Sequence, residues 1–158
     1  MKAITILSKK RSDIFLILFG GIKHDASFLS KIPIPYKYFG SLNDPSIISQ
    51  IYSAADVTVV SSHYETFGQT IIEGMACGSP AVSFDNSGQT DIIDHQINGY
   101  LAKYKDADDL AAGIEWVIEN RETMHLSEPC VKKVKENDTE EIVADKYIEL
   151  YKSLLQNY

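Results

Sequence analysis

The stretch Ala55–Val82 reads ADVTVVSSHYETFGQTIIEGMACGSPAV. It divides into a buried strand (Val57–Ser61), a loop carrying a carboxylate, a helix over Gly68–Cys77 carrying a second carboxylate, a stop at Gly78 and another buried strand, Pro80–Phe84. Strand, helix and strand in that order are the repeating unit of a parallel sheet. Glu65 and Glu73 lie eight positions apart, with Phe67-Gly68 between them at the mouth of the helix. Such an arrangement suits a ligand with an anionic centre and hydroxyls at both ends.

The same alternation extends in both directions. Upstream, Asp13–Phe19 (DIFLILF) is a continuous apolar run that ends at Gly20-Gly21, the pattern of a strand buried on both faces. Lys2–Lys10 has helical spacing. Lys23–Ile34 reads as irregular, because Pro33 and Pro35 oppose a helix there. Tyr36–Phe39 is a short strand, and Asn43-Asp44-Pro45 caps a helix over Ser46–Ala54. Downstream come a turn at Asn86-Ser87-Gly88, a short helical stretch at Asp91–His95 and a strand at Tyr100–Ala102. Two amphipathic helices follow, over Asp106–Asn120 and Glu140–Gln156, the second with an apolar stripe of Ile142, Tyr147, Ile148, Tyr151 and Leu155. The fold class is therefore α/β, a Rossmann-like parallel β-sheet with helices on both faces. In such a sheet ligands bind at the carboxyl ends of the strands. Gly20-Gly21, Gly40-Ser41, Ser61–Gly68 and Asp85–Gly88 all fall there.

The chain has 158 residues, 44% of them hydrophobic, enough for one core and one domain. Its 22 acidic against 15 basic side chains give a formal charge of −7, which argues against nucleic acid as a partner. Cys77 and Cys130 have neither metal nor redox spacing and suit a reducing compartment, with Cys77 read as a small core residue near a helix end. No cleavage site follows the Ile14–Phe19 run, and that run is far short of the roughly 20 residues that span a bilayer. A cytoplasmic protein is expected, with attachment at the inner face of the membrane left open.

Each candidate residue has a plain reading beside a functional one. Gly68 either eases a strand-to-helix turn or lets a phosphate approach the helix N-terminus, where free N–H groups and the dipole favour an anion. Glu73 is either an exposed helical acid or a carboxylate that accepts two hydrogen bonds from a vicinal diol such as a ribose. The small, apolar run after it, Gly74–Gly78, favours the second. Glu65 is either a solvated loop acid or a contact to the opposite end of the same ligand. His63 invites a general-base role but lacks a nucleophile, so a satisfied or solvent-exposed ring is the better reading. His24, His95 and His125 show no ligand spacing, and no metal is assigned. Tyr36, Tyr38 and Phe39 border a rim loop where a base could lie.

Glu65 to Val82, ETFGQTIIEGMACGSPAV, resembles the signature of retaining glycosyltransferases of family 4 with the GT-B fold. Their donor domain carries two glutamates separated by seven residues, then a small-residue helix and a Gly-x-Pro-Val turn. The resemblance continues through Phe39-Gly40, Ala55-Asp56-Val57, Asn98-Gly99-Tyr100-Leu101 and the closing segment Tyr147–Leu155. It implies that residues 1–158 are a nucleotide-sugar (donor) binding domain, the C-terminal half of a GT-B fold, truncated at its N-terminus and lacking the acceptor-binding domain. Glu73 would hold the ribose hydroxyls, and Glu65 would act at the reacting carbon as the catalytic carboxylate. Phe67, Gly68 and Gln69 would bind the diphosphate or sugar, and Tyr38, Phe39 and Gly40 would flank the base.

The resemblance further implies a nucleotide diphosphate-sugar donor, no cofactor and no required metal. The acceptor would be a glycan or lipid-linked molecule of bacterial surface polysaccharide synthesis, with membrane association only through the full-length enzyme. The chain departs from the family pattern at three places, one being a segment around Lys23–Pro35 that is shorter than usual and is expected to lack a helix. The Arg and Lys-Gly cations that precede the first helix are missing, and Ser87–Asp91 replaces a Gly-Gly-x-x-Glu turn. The isolated chain is accordingly expected to be inactive alone. Alternatives are a sugar-nucleotide epimerase or phosphorylase of the same plan, a non-catalytic nucleotide-binding or assembly module, or a fragment with no function of its own.

Overall fold

The computed structural model describes residues 1–21 and 26–155. His24 and Gln156, both named above, lie outside them. In chain order the elements are α1 (Lys2–Leu7), β1 (Leu16–Leu18), a 3₁₀ helix (Ala26–Lys31), β2 (Tyr36–Tyr38), α2 (Pro45–Ala54), β3 (Thr58–Val60), α3 (Gln69–Ala76), β4 (Ala81–Phe84), α4 (Gln89–Ile92), β5 (Gly99–Ala102), α5 (Ala107–Asn120), α6 (Ser127–Asn137) and α7 (Glu140–Leu155). All the strand pairs are parallel. β1 pairs with β2 (Leu16 opposite Tyr36), and β3, β4 and β5 pair in that order (Thr58 opposite Ala81, Ala81 opposite Gly99).

β4 shows how the sequence makes a three-layered fold. Its four residues are all buried, and successive side chains of a strand point to opposite faces. Val82 and Phe84 join one core with Leu7 of α1 and Leu110, Ile114 and Val117 of α5. Ala81 joins a second core with Ile71 and Met75 of α3 and Cys130 and Val134 of α6. Helices thus cover both faces, which is why the strand reads as an unbroken apolar run. The small-residue run after Glu73 lets α3 lie close to β3. A methyl on Gly74 would stand 2.5 Å from Thr58 Oγ1.

Several elements differ from the sequence reading. β1 is only three residues long and half-buried, and Phe15 beside it is 59% exposed. The reason is a slot of about 320 Å³ between β1 and β3, lined by Leu16, Ile17, Val57 and Val59, so these two edges do not pair with each other. Val59, read as part of a buried strand, is exposed for the same reason. The prolines that oppose an α-helix in Lys23–Ile34 leave room for the 3₁₀ helix before them. α4 starts two residues earlier than read. α6 has no counterpart in the sequence reading, because its charged sequence shows only Cys130 and Val134 to the core. Cys130 is the buried thiol and Cys77 is half-buried, the reverse of the expected weight on Cys77. The apolar stripe of α7 is not buried, and Tyr147, Ile148, Tyr151 and Leu155 are all exposed.

Candidate functional site

The strands form two parallel sheets, β1-β2 and β3-β4-β5, with the slot between β1 and β3, so the chain steps outward on either side of that gap as at a topological switch point. Ligands of open parallel sheets bind at such a switch point, beyond the carboxyl ends of the strands. Three loops surround it here: Phe19-Gly20-Gly21 after β1, Phe39-Gly40 after β2 and Ser61–Gly68 after β3.

The Ser61–Gly68 loop is held in place by the turn that follows β4. Gly88 N–H and Ser87 Oγ both donate to the carbonyl of Glu65, each at 3.0 Å. Asn86 Nδ2 donates to the carbonyl of His63 at 2.7 Å, and Gln89 Nε2 to that of Ser62 at 3.2 Å. The backbone and side chains of Asn86–Gln89 thus act as a clamp on the loop that carries Glu65. Sequence reasoning missed this role. The polar run Asn86–Gln89 was its one visible signal.

The loop ends at Gly68, which is buried and sits in the left-handed region at φ 75°, as the N-cap of α3. Its carbonyl accepts from the N–H groups of Ile71 (2.9 Å) and Ile72 (3.1 Å), so the helix begins at Gln69. A helix leaves its first N–H groups without acceptors of its own, and with the dipole they make this end attractive to an anion.

Glu73 lies one turn further along α3 and is half-buried. Its Oε2 accepts a hydrogen bond of 3.1 Å from the Tyr52 phenol on α2. Burial, with the Glu73 carboxylate beside it, raises the pKa of that phenol well above its ordinary value, so Tyr52 stays protonated and donates. The Tyr52 ring meets Phe19 edge-on, with centroids 5.5 Å apart. From Phe19 the contacts run on to the third loop. Gly20 N–H donates to the carbonyl of Gly40 (2.8 Å), and Tyr38 O–H donates to that of Gly20 (2.7 Å).

The structure therefore brings the sequence-derived residues into two linked groups. Glu65, Phe67, Gly68, Gln69 and Glu73 lie on one loop and the helix it opens, and Tyr38, Phe39 and Gly40 lie at the end of β2. Phe19, Gly20 and Tyr52 connect the two groups. Tyr52 was missed because its place on the apolar side of α2 reads as ordinary core. Phe39 and Phe67 are exposed at the rim, with Lys37 Nζ 5.8 Å from the Phe39 ring centroid. The His63 ring packs against Phe84 and Tyr104, at 6.1 and 5.9 Å, an aromatic contact in place of a catalytic partner. Among the described residues no group of three or more His, Cys, Asp or Glu could hold a metal ion.

The model of the glycosyl transferases group 1 family matches residues 1–136. The chain belongs to this family. It is 30% identical over 139 residues to an uncharacterized glycosyltransferase of Methanocaldococcus jannaschii, a match that covers 86% of this chain and 32% of that protein. It is 29% identical over 121 residues to the N,N'-diacetylbacillosaminyl-diphospho-undecaprenol alpha-1,3-N-acetylgalactosaminyltransferase of Campylobacter jejuni, covering 76% of this chain and 31% of that enzyme. The chain thus spans under a third of the length of these curated relatives. Anabaena HepE, solved in complex with UDP and glucose, has the same fold, with a TM-score of 0.77 at 23% identity over 96% of this chain and 44% of HepE. The parallel sheets of this chain, with helices on both faces, match those of GT-B glycosyltransferase structures.

Proposed function

We propose that this chain is the donor-binding domain of a retaining family 4 glycosyltransferase, which takes a nucleotide diphosphate-sugar and delivers the sugar to a glycan or lipid-linked acceptor. One observation carries the reading: two carboxylates, Glu65 and Glu73, flank the glycine-opened N-terminus of α3 at the switch point of the sheet. A sugar-nucleotide has a diphosphate at its centre with hydroxyls on both sides, and this site has donors at its centre with carboxylates on both sides.

In this reading Glu73 accepts from the ribose hydroxyls, and the backbone at Phe67, Gly68 and Gln69 meets the diphosphate. Tyr38, Phe39 and Gly40 flank the base. Glu65 faces the donor sugar near the carbon that reacts. Transfer with retention gains most from stabilising the departing diphosphate, which the N–H groups and dipole of α3 supply. A metal is not needed for that task, so donor binding should persist in EDTA. The solved complex of HepE with UDP and glucose supports the donor class. The name of the Campylobacter relative, a diphospho-undecaprenol glycosyltransferase, supports a lipid-linked acceptor. A place in bacterial surface polysaccharide synthesis at the cytoplasmic face of a membrane is part of the same proposal. No described helix is long and apolar enough to cross that membrane. The acceptor would bind a second domain, so we expect no sugar transfer by this chain alone.

Calorimetric titration with UDP, GDP, ADP and their common sugar conjugates tests the reading. One base should bind saturably, with or without EDTA, and Glu73→Ala should lose that binding. Equal binding by Glu73→Ala would refute the ribose assignment, and transfer by the isolated chain would refute the need for a second domain.

A further inference from the structure

We propose that Tyr52 is a positioning residue of the donor site, whose phenol O–H holds one oxygen of Glu73 so that the other meets the ribose diol. The inference rests on the donor reading above. A carboxylate that grips two adjacent hydroxyls must present its acceptor oxygens in one orientation, and a glutamate on an exposed helix face has three side-chain torsions free to blur it. In this site Tyr52 removes that freedom. Its side chain is 4% exposed, its ring is fixed edge-on against Phe19, and its hydroxyl reaches Glu73 Oε2 at 3.1 Å. Among the described residues Glu73 Oε1 takes no protein hydrogen bond, so one of its two oxygens is committed and the other is available.

The same contact ties together three elements that the chain does not otherwise join at this point. Tyr52 lies on α2, Glu73 on α3 and Phe19 on the loop after β1, whose Gly20 in turn holds Gly40 and Tyr38. The orientation of the carboxylate is thereby linked to the loop proposed to flank the base. A buried tyrosine with its hydroxyl on a carboxylate could serve packing alone, but packing alone makes no distinction between ribose and deoxyribose.

That distinction is the test. Tyr52→Phe keeps the ring and its contact with Phe19 and removes only the hydroxyl. We would titrate the wild-type chain, Tyr52→Phe and Glu73→Gln with UDP, GDP and ADP and with the 2'-deoxy form of each, and follow thermal unfolding by Trp116 fluorescence to show that each variant is folded. The expected result is that Tyr52→Phe weakens binding of the preferred ribonucleotide about tenfold, the effect of one hydrogen bond to a charged group. Its affinity for the deoxynucleotide should stay close to wild type, so the preference for ribose collapses. If Tyr52→Phe retains the wild-type preference while Glu73→Gln loses it, the proposal is overturned and the donor reading stands. If Glu73→Gln also retains the preference, or the wild-type chain binds none of the six nucleotides, the reading falls and the proposal with it.

Discussion

Gly68→Ala is the substitution whose cost can be worked most fully from the structure. The residue is buried at φ 75°, and a Cβ there would stand 2.5 Å from Ile92 Cδ1 and 3.7 Å from Glu65 Cγ and Ile71 Cδ1. Two penalties add. Left-handed backbone costs a residue with a Cβ about 1–2 kcal/mol, and overpacking a filled core costs about 1–3 kcal/mol. Ile92 belongs to the same buried core as Val60, Ile71 and Ile93, so moving its Cδ1 requires repacking there. The sum is a loss of about 2–5 kcal/mol, a large part of the stability of a domain this size. Urea denaturation followed by the single tryptophan, Trp116, reads it directly. The steric part can be isolated with Ile92→Val, which removes the clashing Cδ1 and alone costs about 0.5–1.5 kcal/mol. In the Gly68→Ala background the same change relieves the clash. The double variant should therefore be at least as stable as Gly68→Ala, with a coupling of about 1–3 kcal/mol. Additive costs within about 0.5 kcal/mol, or an Ala variant as stable as wild type, would refute the placement of Gly68 against Ile92.

Two further predictions concern the helices that cover the sheet. Asp106 Oδ1 accepts from the N–H groups of Asp108 and Asp109 at 3.0 Å each and caps α5, so Asp106→Ala should lower the unfolding free energy by about 0.5–2 kcal/mol in the same urea assay; no change would mean that the cap is replaced by water. Cys130 is fully buried, and burial pushes its thiol pKa up to about 12 from the ordinary 9.0. A raised pKa in the folded state means that the contribution of Cys130 is complete below pH 9 and is lost as the pH climbs from 9 towards 12. The alkaline fall in stability should shrink in Cys130→Ala, and at pH 8 a thiol reagent should modify Cys77 alone in the folded chain and both thiols in urea. Equal reaction rates for the two folded-state thiols would contradict the burial of Cys130.

Much of this protein is local and therefore legible along the chain. The cap at Asp44, the glycine stop at Gly78 and the amphipathic pattern of Asp106–Asn120 act within a few residues, and the elements appear where those signals lie. Glu65, Gly68 and Glu73 belong to one strand–loop–helix segment, and their spacing already suggested a ligand with a charged centre. Family membership rests on much more of the chain, since the family model matches residues 1–136. Less was legible where an element depends on distant partners. The number of charged residues in α6 hid the two side chains that seal the second core. The apolar stripe of α7 promised burial, which its packing does not provide. The strand read over Asp13–Phe19 is short, because whether an apolar run is covered depends on what lies across from it, and here that is a slot.

The amino-acid sequence by itself determined that strands and helices alternate, that the sheet is parallel and that two glutamates bracket a helix mouth. All three follow from periodicity and turn chemistry that act over a few neighbouring residues. Only the tertiary structure decided that Tyr52 stands against Glu73, that Gly20 joins Gly40 and Tyr38, and that Asn86–Gln89 clamps the Glu65 loop. Those contacts span roughly twenty or more positions of chain, and they form only when packing of the helices on the sheet brings the carboxyl ends of the strands together.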